Sequence, residues 1–450
     1  MDIKEIRENT KGWIMRFAVP SIIAMVLTAM ITVTDGFFIG NYVGKEGVAA
    51  VNLGLPIVYL FLGIGLMFSV GGMAIAGMAL GAEDHRTCCD VFNQTILTVM
   101  IVSTMMSAAV SLCLRPVLCV LGAKGAVSDY YLTYFRIMLY AYPFMILVSS
   151  LGMFVRAEGY PQFVMMTTVI SVVLNIIGDY VMAAVFRKGI AGVAYASLIS
   201  EIVTVLVLVL FLMTKSPVFR FHTFRFNGKV MMDSVLNGSS EFIGEMSGCL
   251  SMFAFNFVIM KYIGVDGVTA FTVGGYLEFM FSMILIGFGQ GASPLISFAY
   301  GAQDHSTAQK IRRDTSRFVF TAGAALYIVT FLTADWYSTL FVRDAAVSGM
   351  IVTGIRILAV SFFFSGYNCI ASFYFTSIGR AKESAVISSA RGFIVLMAAI
   401  FILPYFFGMN GVWMVAPVTE IISMFISMYY VSADEHKNIQ SAVVKKQGKQ

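Results

Sequence analysis

The sequence predicts an all-α integral membrane protein: twelve transmembrane helices in two parallel six-helix repeats, an N-lobe and a C-lobe, around a central cleft. Three observations carry this prediction. Of the 450 residues, 58% are hydrophobic and only 12% are charged, about half the ~25% charged share of a soluble globular protein. Apolar runs of about 20 residues, enough to span a bilayer, follow one another with brief polar breaks. The polar phrase GAEDHRT (Gly81 to Thr87) returns 220 residues later as GAQDHST (Gly301 to Thr307).

The apolar runs begin near Trp13, Val48, Val91, Asp129, Phe163 and Ile190 in the first half. In the second they begin near Met231, Gly267, Phe318, Met350, Ala385 and Gly411. The alternation that strands require is absent. These runs divide the chain into an N-lobe at 1–214, a cytoplasmic linker at 215–230, a C-lobe at 231–433 and a basic tail at 434–450. The opening MDIKEIRENTK is too polar for the h-region of a signal peptide, so no processing is expected. With the N-terminus inside, 21 of the 30 lysines and arginines fall on the cytoplasmic side, Arg156 and Arg391 among them. This asymmetry places both termini in the cytoplasm and the protein in the cytoplasmic membrane.

The repeat extends well beyond the opening phrase. YVGKEGVAAVNLG (Tyr42 to Gly54) aligns without a gap on YIGVDGVTAFTVG (Tyr262 to Gly274), with six identities in thirteen positions. Thr133, Arg136 and Ile137 fall on Thr353, Arg356 and Ile357. After one deletion, Gly189, Gly192 and Glu201 meet Gly408, Gly411 and Glu420. Six spans per repeat is an even number, so the halves cross the membrane in the same direction, as parallel repeats about an axis along its normal.

Several chemistries find no residues to carry them. The four histidines (His85, His222, His305, His436) fall in loops or the tail, and no zinc, nucleophile-elbow or phosphate-loop motif occurs. GFGQGAS (Gly287 to Ser293) looks like a phosphate loop but lies in an apolar run, where small residues serve close helix packing. The six cysteines (Cys88, Cys89, Cys113, Cys119, Cys249, Cys369) have no metal-binding spacing. The sequence therefore predicts no enzyme, no cofactor and no nucleic-acid partner. The net charge of +5 includes the tail VVKKQGKQ, suited to solvent or anionic lipid.

Seven acidic residues fall inside the spans: Asp35, Asp179, Glu201, Glu241, Glu245, Glu278 and Glu420. A charge at the bilayer centre costs at least ~2.5–3.5 kcal/mol, so each must be hydrated, paired, protonated or cation-bound. Burial disfavours the ionised carboxylate, which suits reversible protonation or sodium coordination. Asn175 and Asp179 are four apart on the fifth helix and share a face, in the same leaflet as Asp35 late in the first. Glu241 and Glu245 share a face of the seventh helix, with Glu278 next along the chain. Their repeat partners are Ser21, Met25 and Val58, an asymmetry expected of a specialised C-lobe cation cavity. Glu201 and Glu420 match across the repeat and are expected to share a structural role. Pro20 can hinge the first helix.

Taken together, these residues resemble the multidrug and toxic compound extrusion (MATE) family over nearly the whole chain. The resemblance rests on Pro20 with Asp35, GVAAVNLGLP (Gly47 to Pro56), the GAEDHRT phrase, RAEGYPQ (Arg156 to Gln162) and GIAGVAYAS (Gly189 to Ser197). It implies twelve helices in two bundles, alternating access, and export of cationic lipophilic compounds against inward H⁺ or Na⁺. It also implies an ion-coupling set of Asp35, Asn175, Asp179 and Ser197, as in the DinF-like branch. Two departures leave the coupling ion open between H⁺, which is preferred, and Na⁺ at Asp35/Asp179 or Glu241/Glu245. No asparagine occurs between Asp129 and Tyr160, and Ser240 stands where a proline is common. The expected partners are cationic lipophilic small molecules, H⁺ or Na⁺ and membrane lipids, around a monomer. The alternative is a flippase for a lipid-linked precursor, whose cleft should be rich in cationic side chains.

Overall fold

The computed structural model describes residues 1–121 and 125–447, the side chains of 119–121 and 437–447 excepted. Lys449 of the expected tail and the side chains of Lys445, Lys446 and Cys119 lie outside the described residues. Among the described residues, eleven helices are long and apolar enough to cross a membrane. They are α1 (Thr10–Tyr42), α2 (Leu55–Gly81), α3 (His85–Leu118), α4 (Ala126–Ala157), α5 (Pro161–Val185) and α6 (Gly189–Thr214) in the first half. The second half holds α7 (Gly228–Tyr262), α8 (Val265–Gly301), α9 (His305–Phe341), α10 (Ala345–Ser377) and the segment Ala381–His436. That last segment breaks at Gly408 (φ 55°, ψ −132°) into α11 (381–407) and α12 (409–436), giving twelve spans. Among the described residues no strand forms. Large apolar side chains such as Leu112, Leu206 and Leu332 face outward, as a lipid-facing surface requires.

The structure corrects the expected helix starts. Helices α3 and α9 begin at His85 and His305, well before the apolar runs, because the polar phrase itself starts them. Asp84 Oδ1 accepts from the Thr87 amide at 3.0 Å and Asp304 Oδ1 from the Thr307 amide at 3.1 Å, each satisfying an orphan donor of the first turn. The residue before each cap is left-handed: Glu83 at φ 60° and Gln303 at φ 61°. The phrase is therefore a tight turn plus a helix cap, which explains why both copies keep it.

Backbone geometry repeats with the sequence. Gly44 and Gly264 share φ of 98° and 96°, and Gly189 and Gly408 share 56° and 55°. The packing between halves repeats as well. A Cβ on Gly81 of α2 would lie 2.0 Å from the Phe298 carbonyl of α8, and one on Gly301 of α8 would lie 1.9 Å from the Met78 carbonyl of α2. These two contacts interchange under the 220-residue shift. In the same way Gly71 and Gly238 press α2 on α7, while Gly291 presses α8 on Ala18 of α1. The GFGQGAS stretch thus packs helices, with Gly289 also admitting Phe373. Bare glycines let backbones approach where lipid offers no hydrophobic drive.

All these contacts lie toward the end of the bundle that holds the termini and the polar turns, here called the terminal side. Toward the other end, a Cβ on Gly36, Gly244 or Gly275 would meet nothing within 4 Å. An ion pair joins the halves on the terminal side. Arg7, in the short helix Ile3–Glu8, donates to Asp304 from Nε at 2.9 Å and from a guanidinium NH₂ at 2.7 Å. Partial burial would push the Asp304 carboxyl up, but hydrogen bonds from Thr307, Ser306 and Arg7 hold it down at about 2. The linker is also tied down: Glu158 accepts from the Val218 and Phe219 amides at 2.9 and 2.8 Å and from the Ser216 hydroxyl.

Two outcomes are expected. Gly301→Val should lower stability by about 1–3 kcal/mol through overpacking, read as thermal unfolding in detergent, while Gly275→Ala should be neutral or stabilising. For Asp304, the folded value lies below the unfolded ~3.9, so its stabilisation is present above about pH 4 and lost as pH falls toward 2. The stability difference between wild type and Asp304→Asn should therefore stay constant from pH 5 to 8.

Candidate functional site

The N-lobe site is assembled from two helical faces turned on one acid. Asn175 and Asp179 on α5, and Ser197 and Glu201 on α6, are each four residues apart and so stack along one face. Gly178 brings the helices together, since a Cβ there would lie 2.8 Å from that of Ala196. Asp35 of α1 enters from the third side. Asn175 Nδ2 donates to Ser197 Oγ at 3.2 Å, and Ser197 Oγ donates to Asp35 Oδ2 at 3.3 Å. The Asp35 carboxyl also lies close to the side chains of Asn175 and Asp179. Asn175 and Asp179 are fully buried.

Two carboxyls in contact repel when both are ionised and bind when one proton or one cation lies between them. Among the described residues no lysine, arginine or histidine pairs with either acid. Asp35 Oδ1, both Asp179 oxygens, Asn175 Oδ1 and Glu201 Oε2 receive no hydrogen bond. The site is thus a cluster of oxygens with unspent capacity. Immediately after Asp179 the helix widens into a π turn, Tyr180–Val185, a distortion frequent at functional sites.

Asp35, Ser197 and Glu201 open onto a cavity of about 460 Å³, the size of a small-molecule site. Its wall is largely apolar, with Met25, Met138, Met145, Met283 and Tyr142 among the lining residues. Glu245 of α7 lines it as well, and Arg156 and Gln290 line it nearer the terminal side. Pro20 is buried within the continuous helix α1, between Ala18 and Ile22, which pack on Gly291 and Gly287 of α8.

The three C-lobe glutamates part company. Glu245 faces the cavity, whereas Glu241 and Glu278 lie within electrostatic range of Arg391. Arg391 donates to Glu420 Oε1 from Nε at 3.2 Å and from NH₂ at 2.8 Å. Asn368 of α10 donates to Glu420 Oε2 at 2.7 Å and to its carbonyl at 2.9 Å. This corrects two expectations. Arg391, counted from sequence with the cytoplasmic charges, sits inside α11 in a π turn (Ala390–Ile394). Glu201 and Glu420, matched across the repeat, do not share a role: one faces the cavity, the other is locked in an ion pair. Ser240, in place of a common proline, meets Thr376 Oγ1 at 3.1 Å, beside Asn237, which donates to the Thr376 carbonyl at 2.6 Å.

Sequence reasoning passed over Tyr134, read Gln290 only within a helix-packing stretch, and took Arg156 as a cytoplasmic charge and part of the RAEGYPQ phrase; it singled out no cavity role for any of these three lining residues. Of these, only Arg156 carried a signal, as a cation at the edge of an apolar run. Among the described residues no three His, Cys, Asp or Glu side chains are arranged to hold a metal ion.

Comparison with known proteins fits this architecture. A relative named multidrug export protein MepA, from Staphylococcus saprophyticus, is 23% identical over 419 residues, 93% of this chain and 92% of its own. The fold matches a multidrug resistance MATE family transporter of the MOP superfamily in an outward-facing conformation (20% identity, 96% of each chain, TM-score 0.89). It also matches a MOP superfamily transporter from Pyrococcus furiosus described as having a binding pocket of reverse polarity (21% identity, 94% of this chain and 96% of that one, TM-score 0.87). The family model MatE matches twice, at residues 20–181 and 243–402, once in each half of the duplicated chain. The chain belongs to the MatE family of multi-pass membrane transporters and is not an enzyme.

Proposed function

We propose that the protein is a secondary active multidrug exporter that trades cationic lipophilic compounds for H⁺ or Na⁺ by alternating access. The observation that carries this reading is the contact of Asp35 with Asp179, Asn175 and Ser197 at the wall of the cavity. An inward-moving cation and a cationic drug cannot both neutralise the same acids, so occupancy by one releases the other. Asp35, Asn175, Asp179 and Ser197 form the ion-coupling set, as the resemblance to the DinF-like branch suggests. Glu245 attracts the drug's positive charge within the cavity, and Glu241 and Glu278 extend the acidic field behind it. Pro20 hinges α1 as the site exchanges its ion. The lobes, 1–214 and 231–433, rock about their terminal-side contacts, with 215–230 as the linker and 434–450 as the tail. The protein acts as a monomer with both termini in the cytoplasm, so the terminal-side packing closes the inner gate. The name of the staphylococcal relative supports the drug cargo.

The flippase alternative has less support. Of the charged residues that line the cavity, three are acidic (Asp35, Glu201, Glu245) and one is basic (Arg156), a poor match for a pyrophosphate.

In proteoliposomes, Asp35→Asn and Asp179→Asn should each cut gradient-driven efflux of an ethidium-like dye by about 10-fold or more, the loss of one charge-assisted contact. Ser197→Ala should cost less. Imposing H⁺ and Na⁺ gradients separately identifies the ion. Efflux in Asp35→Asn equal to wild type would remove the coupling assignment.

A further inference from the structure

The terminal-side floor of the cavity holds a charge with no counter-charge. Arg156, near the end of α4, is 5% exposed yet lines the cavity. One guanidinium nitrogen, Nη1, donates to Gln290 Oε1 of α8 at 3.1 Å and approaches Met153 Sδ at 3.6 Å, while Nε has no partner. Buried charges are costly unless paired, and the other buried or half-buried arginines among the described residues respect that rule. Arg312, buried to the same depth, meets Glu435 at 2.6 Å; Arg380 meets Asp434 at 2.9 Å and Arg391 meets Glu420 at 2.8 Å. The nearest acid along the chain, Glu158, is taken up by the linker.

The negative end of the α4 dipole offers Arg156 partial compensation, and Gln290 offers a neutral acceptor from the other lobe. Neither is an anion. Of the acids that face the same cavity, Asp35 and Glu245 stand away from this floor, while Glu201, counted along α6, lies only about 3 Å further from the terminal face than Gln290. Counted along α7 and α8 from their terminal-side ends, Glu245 lies about 9 Å further from the terminal face than Gln290. The cavity is therefore electrically polarised over a drug-sized distance, with carboxylates above and a guanidinium below.

We infer that Arg156 is a specificity-determining residue that binds an acidic group of the cargo, so that the preferred molecules are lipophilic zwitterions. A cation at one end is drawn to Glu245, and a carboxylate at the other accepts from the Arg156 fork, a geometry guanidinium groups bind well. The inference rests on the export reading and refines its substrate class. A purely structural Arg156, latching α4 to α8 through Gln290, would not distinguish cargo by charge.

The test uses two dyes that share one cationic ring system: tetramethylrhodamine, whose free carboxylate makes it a zwitterion, and its methyl ester, a simple cation. Binding to the purified full chain is followed by fluorescence polarisation. Wild type should bind the zwitterion more tightly than the ester. Arg156→Gln should lower the zwitterion-to-ester affinity ratio by about 10-fold or more, and Arg156→Lys by less, since it keeps the charge and loses the fork. A ratio that stays at the wild-type value in Arg156→Gln overturns the inference, as does a wild type that prefers the ester, a result that needs no variant. Ester binding without a carboxylate preference leaves the export reading standing and removes only this one. Failure of wild type to bind either dye removes both.

Discussion

Charge among apolar helices has to be answered locally, by a proton, a counter-ion, water or cargo, because the surrounding lipid answers nothing. Most of this molecule's organisation follows from how each buried charge meets that demand. Glu420 is answered permanently by Arg391 and Asn368, and that part of the C-lobe is stiffened as a result. Asp35 is met only by the Ser197 hydroxyl, and neither it nor Asp179 has a cation beside it among the described residues. Arg156 is answered only in part. The fixed pair belongs to the scaffold, and the unfinished ones face the cavity.

The duplication provides two copies of a frame and lets their contents diverge. Turn geometry, helix caps and the glycine contacts of the interface recur through the 220-residue shift. The charged side chains do not. Arg391 stands where the first repeat has Ser171, and Asp35 where the second has Phe255. Backbone symmetry is retained because both halves must fit the same bilayer and each other. Neither requirement constrains the charged side chains.

This division also explains what could be read from the sequence. Spans, parallel repeats and the shared face of Asn175 and Asp179 follow from hydropathy and the 3.6-residue period, both local properties. The convergence of Asp35, Asp179 and Ser197 needs the packing of three helices, and the resemblance to a family supplied it where periodicity could not. Helix ends were misplaced at α3 and α9 because hydropathy sees the apolar run while Asp84 and Asp304 cap the helix earlier. Counting basic residues by side grouped Arg391 with the cytoplasmic charges, since that rule carries no information on depth or on partners such as Glu420. Matching Glu201 to Glu420 assumed that equal position means equal surroundings, which Ser171 in place of Arg391 disproves.

The reciprocal seat of Gly81 on the Phe298 carbonyl and of Gly301 on the Met78 carbonyl bears on how the two bodies can move. Neighbouring interface glycines such as Gly77 and Gly63 meet the side chains of Ser297 and Phe242, whereas at these two seats main chain lies against main chain. Such a bearing resists compression but turns with little friction, so a rotation there need not strip one set of interlocking groups before another engages. The Arg7–Asp304 pair at the periphery and the Arg156–Gln290 hydrogen bond deeper in then fasten the bearing on this side.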